Sequence, residues 1–172
     1  MATKWNLDPT HSDITFKVRH MMISNVKGNF TDFNVEIDTE DDSFSNAKAK
    51  VVIQTNSLST YNTDRDNHLK SPDFLNVEIN PTITFTSNPI SSDENLQGDL
   101  TINGVTKPVR LNFDFNGIEV DPYGNARAGF SFEGKISRKE FGLTWNAALE
   151  TGGVMVGDEV RLAGDLQFVK QS

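Results

Sequence analysis

The residues best equipped for chemistry crowd into one short stretch, TDRDNHLKSPDF at residues 63–74, which holds a guanidinium, an imidazole and three carboxylates. Thr63 and Asp66 have the spacing of a capping box at a helix start, and Ser71-Pro72 stops a helix because proline restricts its predecessor and donates no amide hydrogen. On such a helix Tyr61, Arg65, His68 and Leu69 fall on one face. One cation, one imidazole and two largely apolar groups therefore point the same way, and imidazole is a side chain commonly used as a general acid or base. The same segment also reads as a solvated connector in which Arg65 pairs with Asp64, Asp66 or Asp73.

Other constellations carry less. His11, His20 and His68 could ligate a metal if the fold brought them together, but their spacing matches no ligand signature, and hydrogen-bonded structural histidines are the expectation. Asp8, His11 and Ser12 supply the residue types of a catalytic triad, although proximity along the chain is not triad geometry. The sequence lacks a GxSxG elbow, a phosphate-cradling loop and an HExxH helix. With no cysteine in the chain, thiolate metal sites, disulfides and cysteine nucleophiles are excluded. The expectation is therefore a protein without catalytic residues, metal or cofactor; an enzyme using His20 or His68 as acid–base is the alternative from another class.

Whatever the polar stretch does, strands must position it. Ile14, Phe16 and Val18 alternate with Asp13, Thr15, Lys17 and Arg19, the period of a half-buried antiparallel strand, and His20 closes its apolar face. From Val26 to Ile37 the apolar parity changes between Phe30 and Phe33, which predicts a bulge or bend near Thr31-Asp32. Ala47, Ala49, Val51 and Ile53 form a third strand; Ile79, Ile83 and Phe85 a short one; Leu96, Gly98, Leu100 and Ile102 the next. Asn103-Gly104 predicts a type I′ hairpin into a strand presenting Val109, Leu111, Phe113 and Phe115 on one face. After a turn at residues 121–125 the alternation resumes through Ala126, Ala128, Phe130, Phe132 and Ile136, and it ends with Val160, Leu162, Leu166 and Phe168. About eight strands joined mainly by short turns predict an antiparallel up-and-down barrel, because closure removes aggregation-prone edges. A two-sheet sandwich is the second choice.

At 172 residues the chain suits one domain, residues 1–172, and twelve Phe against two Trp and two Tyr make phenylalanine the aromatic that shapes its interior. Such an interior is either filled as a packed structural barrel or lined as an apolar pocket, and periodicity does not separate the two. Sixteen Lys plus Arg against twenty-four Asp plus Glu give a net charge of −8, which disfavours nucleic acid as a partner. The N-terminal MATKWNLDPTHSD has no apolar signal stretch, and no run of about 18 apolar residues could span a bilayer. A cytoplasmic location is the expectation.

Read together, these residues resemble a family. WNLDPTHSDITFKVRHMMISNVKGNF, with Asp8-Pro9, His11-Ser12, His20 and Gly28-x-Phe30, resembles the opening signature of the YceI-like, lipocalin-like proteins. DRDNHLKSPDF resembles their most distinctive segment, through Arg65-Asp66, His68-Leu69, Ser71 and Asp73-Phe74. Pro81-x-Ile83-x-Phe85, Gly98 to Thr106 and Ser137-Arg138-Lys139-x-Phe141-Gly142 continue the likeness in order. The resemblance implies an all-β fold: one extended eight-stranded antiparallel lipocalin-like barrel with a short helical insertion around residues 62–71. It also implies non-catalytic binding, sequestration or transport of a long amphiphile of polyisoprenoid, prenyl phosphate or quinone type, with some members holding fatty acids or their amides. Many members are periplasmic, whereas the expectation for this sequence is the cytoplasm, and a homodimer is suggested by the resemblance alone.

On that reading the lumen is lined by Ile14, Phe16, Val18, Phe30, Val51 and Ile53 from the first half of the chain. Leu69, Phe74, Phe85, Leu100 and Leu111 follow, then Phe113, Phe130, Phe132 and Phe141. His20, Arg65, His68 and Arg138 are the candidates for a polar mouth that meets the head group, Arg65 having an ion pair with Asp66 as its competing role.

Overall fold

Apolar and polar residues alternate along eleven β segments in the computed structural model, which describes residues 3–21, 23–40, 44, 46–90, 95–146 and 155–171. In chain order the segments are β1 (Thr3–Leu7), β2 (Asp13–His20), β3 (Ser24–Phe30), β4 (Phe33–Thr39), β5 (Lys48–Gln54) and β6 (Leu58–Ser59). They continue as β7 (Thr82–Ser87), β8 (Asn95–Ile102), β9 (Val105–Val120), β10 (Ala126–Ser137) and β11 (Val156–Lys170), with one α-helix, α1 (Thr63–Lys70), before β7. No helix among the described residues is long and apolar enough to cross a membrane.

The sheet closes. β1 pairs with β4 on one side and β11 on the other, completing the ring β1-β4-β5-β7-β8-β9-β10-β11 with every pairing antiparallel. The remaining segments extend three of these eight staves past a break. β2 follows β1 along the same edge of β11, after a 3₁₀ turn at Pro9–His11. β3 runs beside β2, and β4 beside β1, with the chain bending at Thr31-Asp32, where the change of parity predicts it. β6 continues β5 beyond a 3₁₀ turn at Thr55–Ser57 and pairs with β3. Breaks of this kind let a small barrel curve without tearing its ladders. The fold is the eight-stranded lipocalin-like barrel that the resemblance implies.

Inside, large rings lie over glycines. A Cβ on Gly28 would stand 2.4 Å from the ring of Phe16, its cross-strand partner, and one on Gly164 would stand 2.6 Å from the ring of Phe132 and 2.4 Å from the Asp13 carbonyl oxygen. Pairing small with large residues fits side chains into a tapering interior. Asn103 and Gly104 both take positive φ, 56° and 74°, as the β8–β9 hairpin requires.

Two expectations are corrected. Ile79 lies in a turn, 74 % exposed, and the strand starts at Thr82, because Ile79 and Asn80 both direct their amides to the Asn76 carbonyl. The cap of α1 is Asn62, not Thr63: its side-chain oxygen accepts the Arg65 amide at 3.0 Å, so no Thr63–Asp66 capping box forms.

Gly164→Ala should destabilise the barrel by about 1–3 kcal/mol, since the Asp13 carbonyl that blocks the new methyl is backbone and cannot swing aside. Denaturant melts check this, and an unchanged midpoint would contradict the close approach.

Candidate functional site

The inward parity of the strands produces an apolar lumen containing two cavities of about 130 Å³ each. Ile14, Val51, Ile53, Phe85, Leu100, Leu111, Phe113, Phe130 and Phe132 line the first, together with Ile37 and Phe168. Phe16, Val18, Leu69 and Phe74 line the second, under α1, with Leu58, Leu75 and Ile136. Phe30, Ile83, Ile102 and Leu162 belong to both walls and form the waist between them. Phe141 lines neither; it is 1 % exposed and packs in the core. Ile83, Ile102, Leu162 and Phe168 line the lumen beyond the expected set, and each shares the strand parity of apolar residues expected there.

The short α1 is held by one buried threonine. Thr60 gives both its amide, at 2.8 Å, and its hydroxyl to Asp66, while that hydroxyl accepts from Arg65 Nε at 2.8 Å and the Thr60 carbonyl accepts from Arg65 Nη2 at 2.6 Å. Arg65 and Asp66 therefore both grip Thr60, and Arg65 forms no ion pair with Asp64, Asp66 or Asp73, contrary to the solvated-connector expectation. A helix of eight residues is too short to persist alone, so such anchors set its position. Tyr61 precedes the helix at a positive φ and is 84 % exposed, away from the face shared by His68 and Leu69. His68 Nε2 meets Asp73 at 3.0 Å, and its ring stands edge-on to Phe74 and Trp145, with centroids 5.1 and 4.7 Å away. Trp145 had no signal in the local sequence pattern.

Arg138 is the one charged residue in the described cavity walls, and it is 3 % exposed. Its Nε donates to the Gly157 carbonyl at 2.8 Å, Nη1 to those of Leu143 and Trp145 at 2.6 and 2.9 Å, and Nη2 to that of Val156 at 3.1 Å. A guanidinium has five N–H donors, so one remains beyond these four bonds. Burial pulls its pKa below the ordinary arginine value, and the field of Asp158 partly opposes that. No carboxylate among the described residues lies within ion-pairing distance of it. His20 ends β2 opposite Val156 and Ser24, at the same end of the lumen but outside the cavity walls.

The histidines do not converge. Among the described residues no cluster of three or more His, Asp or Glu side chains could hold a metal ion. His11 Nδ1 meets the Asp8 carboxylate at 2.8 Å, but Ser12 Oγ donates to the Asp8 carbonyl, so the serine–imidazole link of a triad does not form. Asp8 belongs instead to a network at the barrel seam. Arg127 donates through Nη1 to Asp8 at 2.7 Å and through Nε to Asp121 at 2.8 Å. Hydrogen bonds from Thr10, His11 and Arg127 hold the Asp8 carboxyl well below the usual range. Asp121 is lowered to about 2, first by the Arg127 hydrogen bond and then by the Asn125 amide.

Comparison with known proteins matches the YceI-like domain to residues 5–168. A UPF0312 protein of Staphylococcus epidermidis is 42 % identical over 167 residues, covering 96 % of this chain and 97 % of the relative. BcnA of Burkholderia cenocepacia has the same fold, with a TM-score of 0.79 at 18 % identity over 94 % of this chain and 99 % of its own. A polyisoprenoid-binding domain from Saccharophagus degradans superimposes with a TM-score of 0.75 at 16 % identity, over 97 % and 98 % of the two chains.

Because both seam carboxyls titrate below their ordinary value of 3.8, their contribution to stability is complete above about pH 4 and is lost as the pH falls through their folded-state values. Arg127→Ala should lower the melting temperature at neutral pH, and its deficit against the parent protein should shrink between about pH 4 and pH 2. Melting curves across that range test it; a deficit independent of pH would remove the carboxylates from the account.

Proposed function

This chain belongs to the YceI-like family, and from that premise we propose that it binds a single-chain polyisoprenoid, bearing a phosphate or quinone head, and sequesters or carries it without chemical turnover. The observation that carries the reading is the wall of the lumen: apolar side chains surround two cavities in series, and one buried guanidinium with a remaining donor lies at the α1 end. The polyisoprenoid-binding domain of S. degradans supports the ligand class. Each methylene taken from water contributes about 0.8 kcal/mol, so a long chain has ample driving force after ordering costs.

In this reading the tail occupies the cavity lined by Phe113 and Phe130 and passes the waist at Phe30 and Ile83. The head group meets Arg138, with His68 and Trp145 above it. His20 lies at the same opening, and Arg65 acts through the helix rather than on the ligand. Each cavity is smaller than the roughly 300–1,000 Å³ of a usual ligand pocket, so uptake has to displace waist side chains. That small volume is also what favours a second reading, a packed barrel that acts through its surface.

Native mass spectrometry of gently purified protein, with organic extraction of the bound species, separates the two. The expected result is a stoichiometric long-chain amphiphile that a folded Phe113→Glu variant retains at least about tenfold less well, while Phe113→Leu retains it, because an ionised carboxylate in the apolar lumen has no partner. Consistent absence of lipid from the parent protein, or its undiminished retention by folded Phe113→Glu, would refute lumenal binding.

A further inference from the structure

The outer face of the barrel carries a charge pattern that the lumen does not use. Lys27 lies directly across from Lys17, Lys17 from Arg161, and Arg161 from Lys135, so four cations stand in one row over β3, β2, β11 and β10. Arg110 lines the same outer concavity. Like charges facing one another across strands destabilise a sheet. Glu159 offsets part of the row, at 3.6 Å from Lys135 and 3.7 Å from Arg161, while Lys17 and Lys27 have no carboxylate partner among the described residues. Further along the same strands Asp13 lies directly across from Asp165, four residues from Lys17 and Arg161 respectively, or about 13 Å. The face is therefore polar along its strands, with its positive end toward the β2–β3 turn.

The two described residues of that turn are apolar and exposed. Ile23 is 80 % exposed and Met21 is also at the surface, with Arg19 on the last turn-proximal outward position of β2. The Met21 amide donates to the Met155 carbonyl and His20 lies across from Val156, which places the turn beside the segment whose carbonyls hold Arg138. An apolar tip backed by cations is the arrangement that enters the boundary of an anionic bilayer. The net charge of −8 opposes approach to such a bilayer, and the cation row on this face offsets that repulsion locally.

We propose that the β2–β3 hairpin, with Met21 and Ile23 at its tip and the Lys27–Lys17–Arg161–Lys135 row behind it, is a docking surface for membranes rich in anionic phospholipid. It would present the α1 end of the lumen to the bilayer. This role rests on the lipid-binding reading for its purpose but not for its test.

Flotation of the full chain with vesicles tests it, using an equal mixture of phosphatidylglycerol and phosphatidylcholine against phosphatidylcholine alone. The protein should float with the mixed vesicles at low salt and be released as salt screens the charges. Lys17→Glu with Lys27→Glu should reduce binding at least about tenfold, and Ile23→Asp should weaken it as well. The double variant faces Arg161 with an opposite charge and should melt no lower than the parent protein; Lys17→Gln with Lys27→Gln provides a neutral check. Lumenal lipid, read separately by native mass spectrometry, should be unchanged in these variants. Failure to bind the mixed vesicles, equal binding to neutral vesicles, or full binding by the folded charge variants would overturn the docking role. So would charge-dependent self-association without vesicle binding, which would assign the row to the Asp13–Asp165 pair of a second copy. None of these results would bear on whether the lumen holds lipid.

Discussion

Everything in this structure depends on β11 having both edges occupied. One edge is laced to β10 from Ser137 back to Arg127; the other is shared by β2 and then β1. Leaving either edge open would expose a long row of unpaired amides and carbonyls and open the lumen to water. The weak place is the 3₁₀ turn where β1 gives way to β2, and local hydrogen bonds repair it. The Asp8 amide donates to the Gln167 carbonyl, the Gln167 amide donates to Ser12 Oγ, and Ser12 Oγ donates to the Asp8 carbonyl. The Arg127 clamp on Asp8 and Asp121 then ties this seam to the β9–β10 turn. Residues whose types resemble a triad are thus the fastening of a barrel.

Closure dictates what the interior can be. Eight staves bring inward side chains together at a radius where Phe16 must lie over Gly28 and Phe132 over Gly164. The cavities are what remains after those rings are seated, and Phe30, Ile83, Ile102 and Leu162 divide them. A ligand that threads the barrel meets this waist first as an obstacle. Its side chains are apolar and have rotamers to exchange, whereas the walls around them are tied through hydrogen-bonded ladders. Breathing at the waist is a smaller change than opening the sheet.

The strand faces were legible because a half-buried strand must alternate, and even the bend at Thr31-Asp32 left its mark as a change of parity between Phe30 and Phe33. The hairpin at Asn103-Gly104 was legible because few residues tolerate positive φ. Contacts made by the closed fold were not. Thr60 carries no local signal, yet it holds both Arg65 and Asp66. The arginine at 138 read as a mouth cation, but its near-complete burial arises only where the end of β10, residues 143–145 and the start of β11 meet. Ile79 misled in the opposite direction: its spacing from Ile83 and Phe85 fitted a strand, and a local turn on Asn76 took its amide instead.

Arg138 gives the lumen a direction. Its charge is solvated by four carbonyl dipoles and makes no ion pair with a carboxylate among the described residues, and the neighbouring Asp158 is already engaged by Ser137 Oγ and the Lys139 amide. Carbonyls satisfy the hydrogen-bonding demand of a guanidinium but leave its net charge, and in an apolar cavity that charge is felt more strongly than it would be in water. An anionic or strongly accepting head group at the α1 end would complete the compensation, whereas an apolar tail there would leave it incomplete. In the binding mode proposed, the same residue that fastens the strand ends to the segment carrying Trp145 therefore also decides which end of an amphiphile enters last.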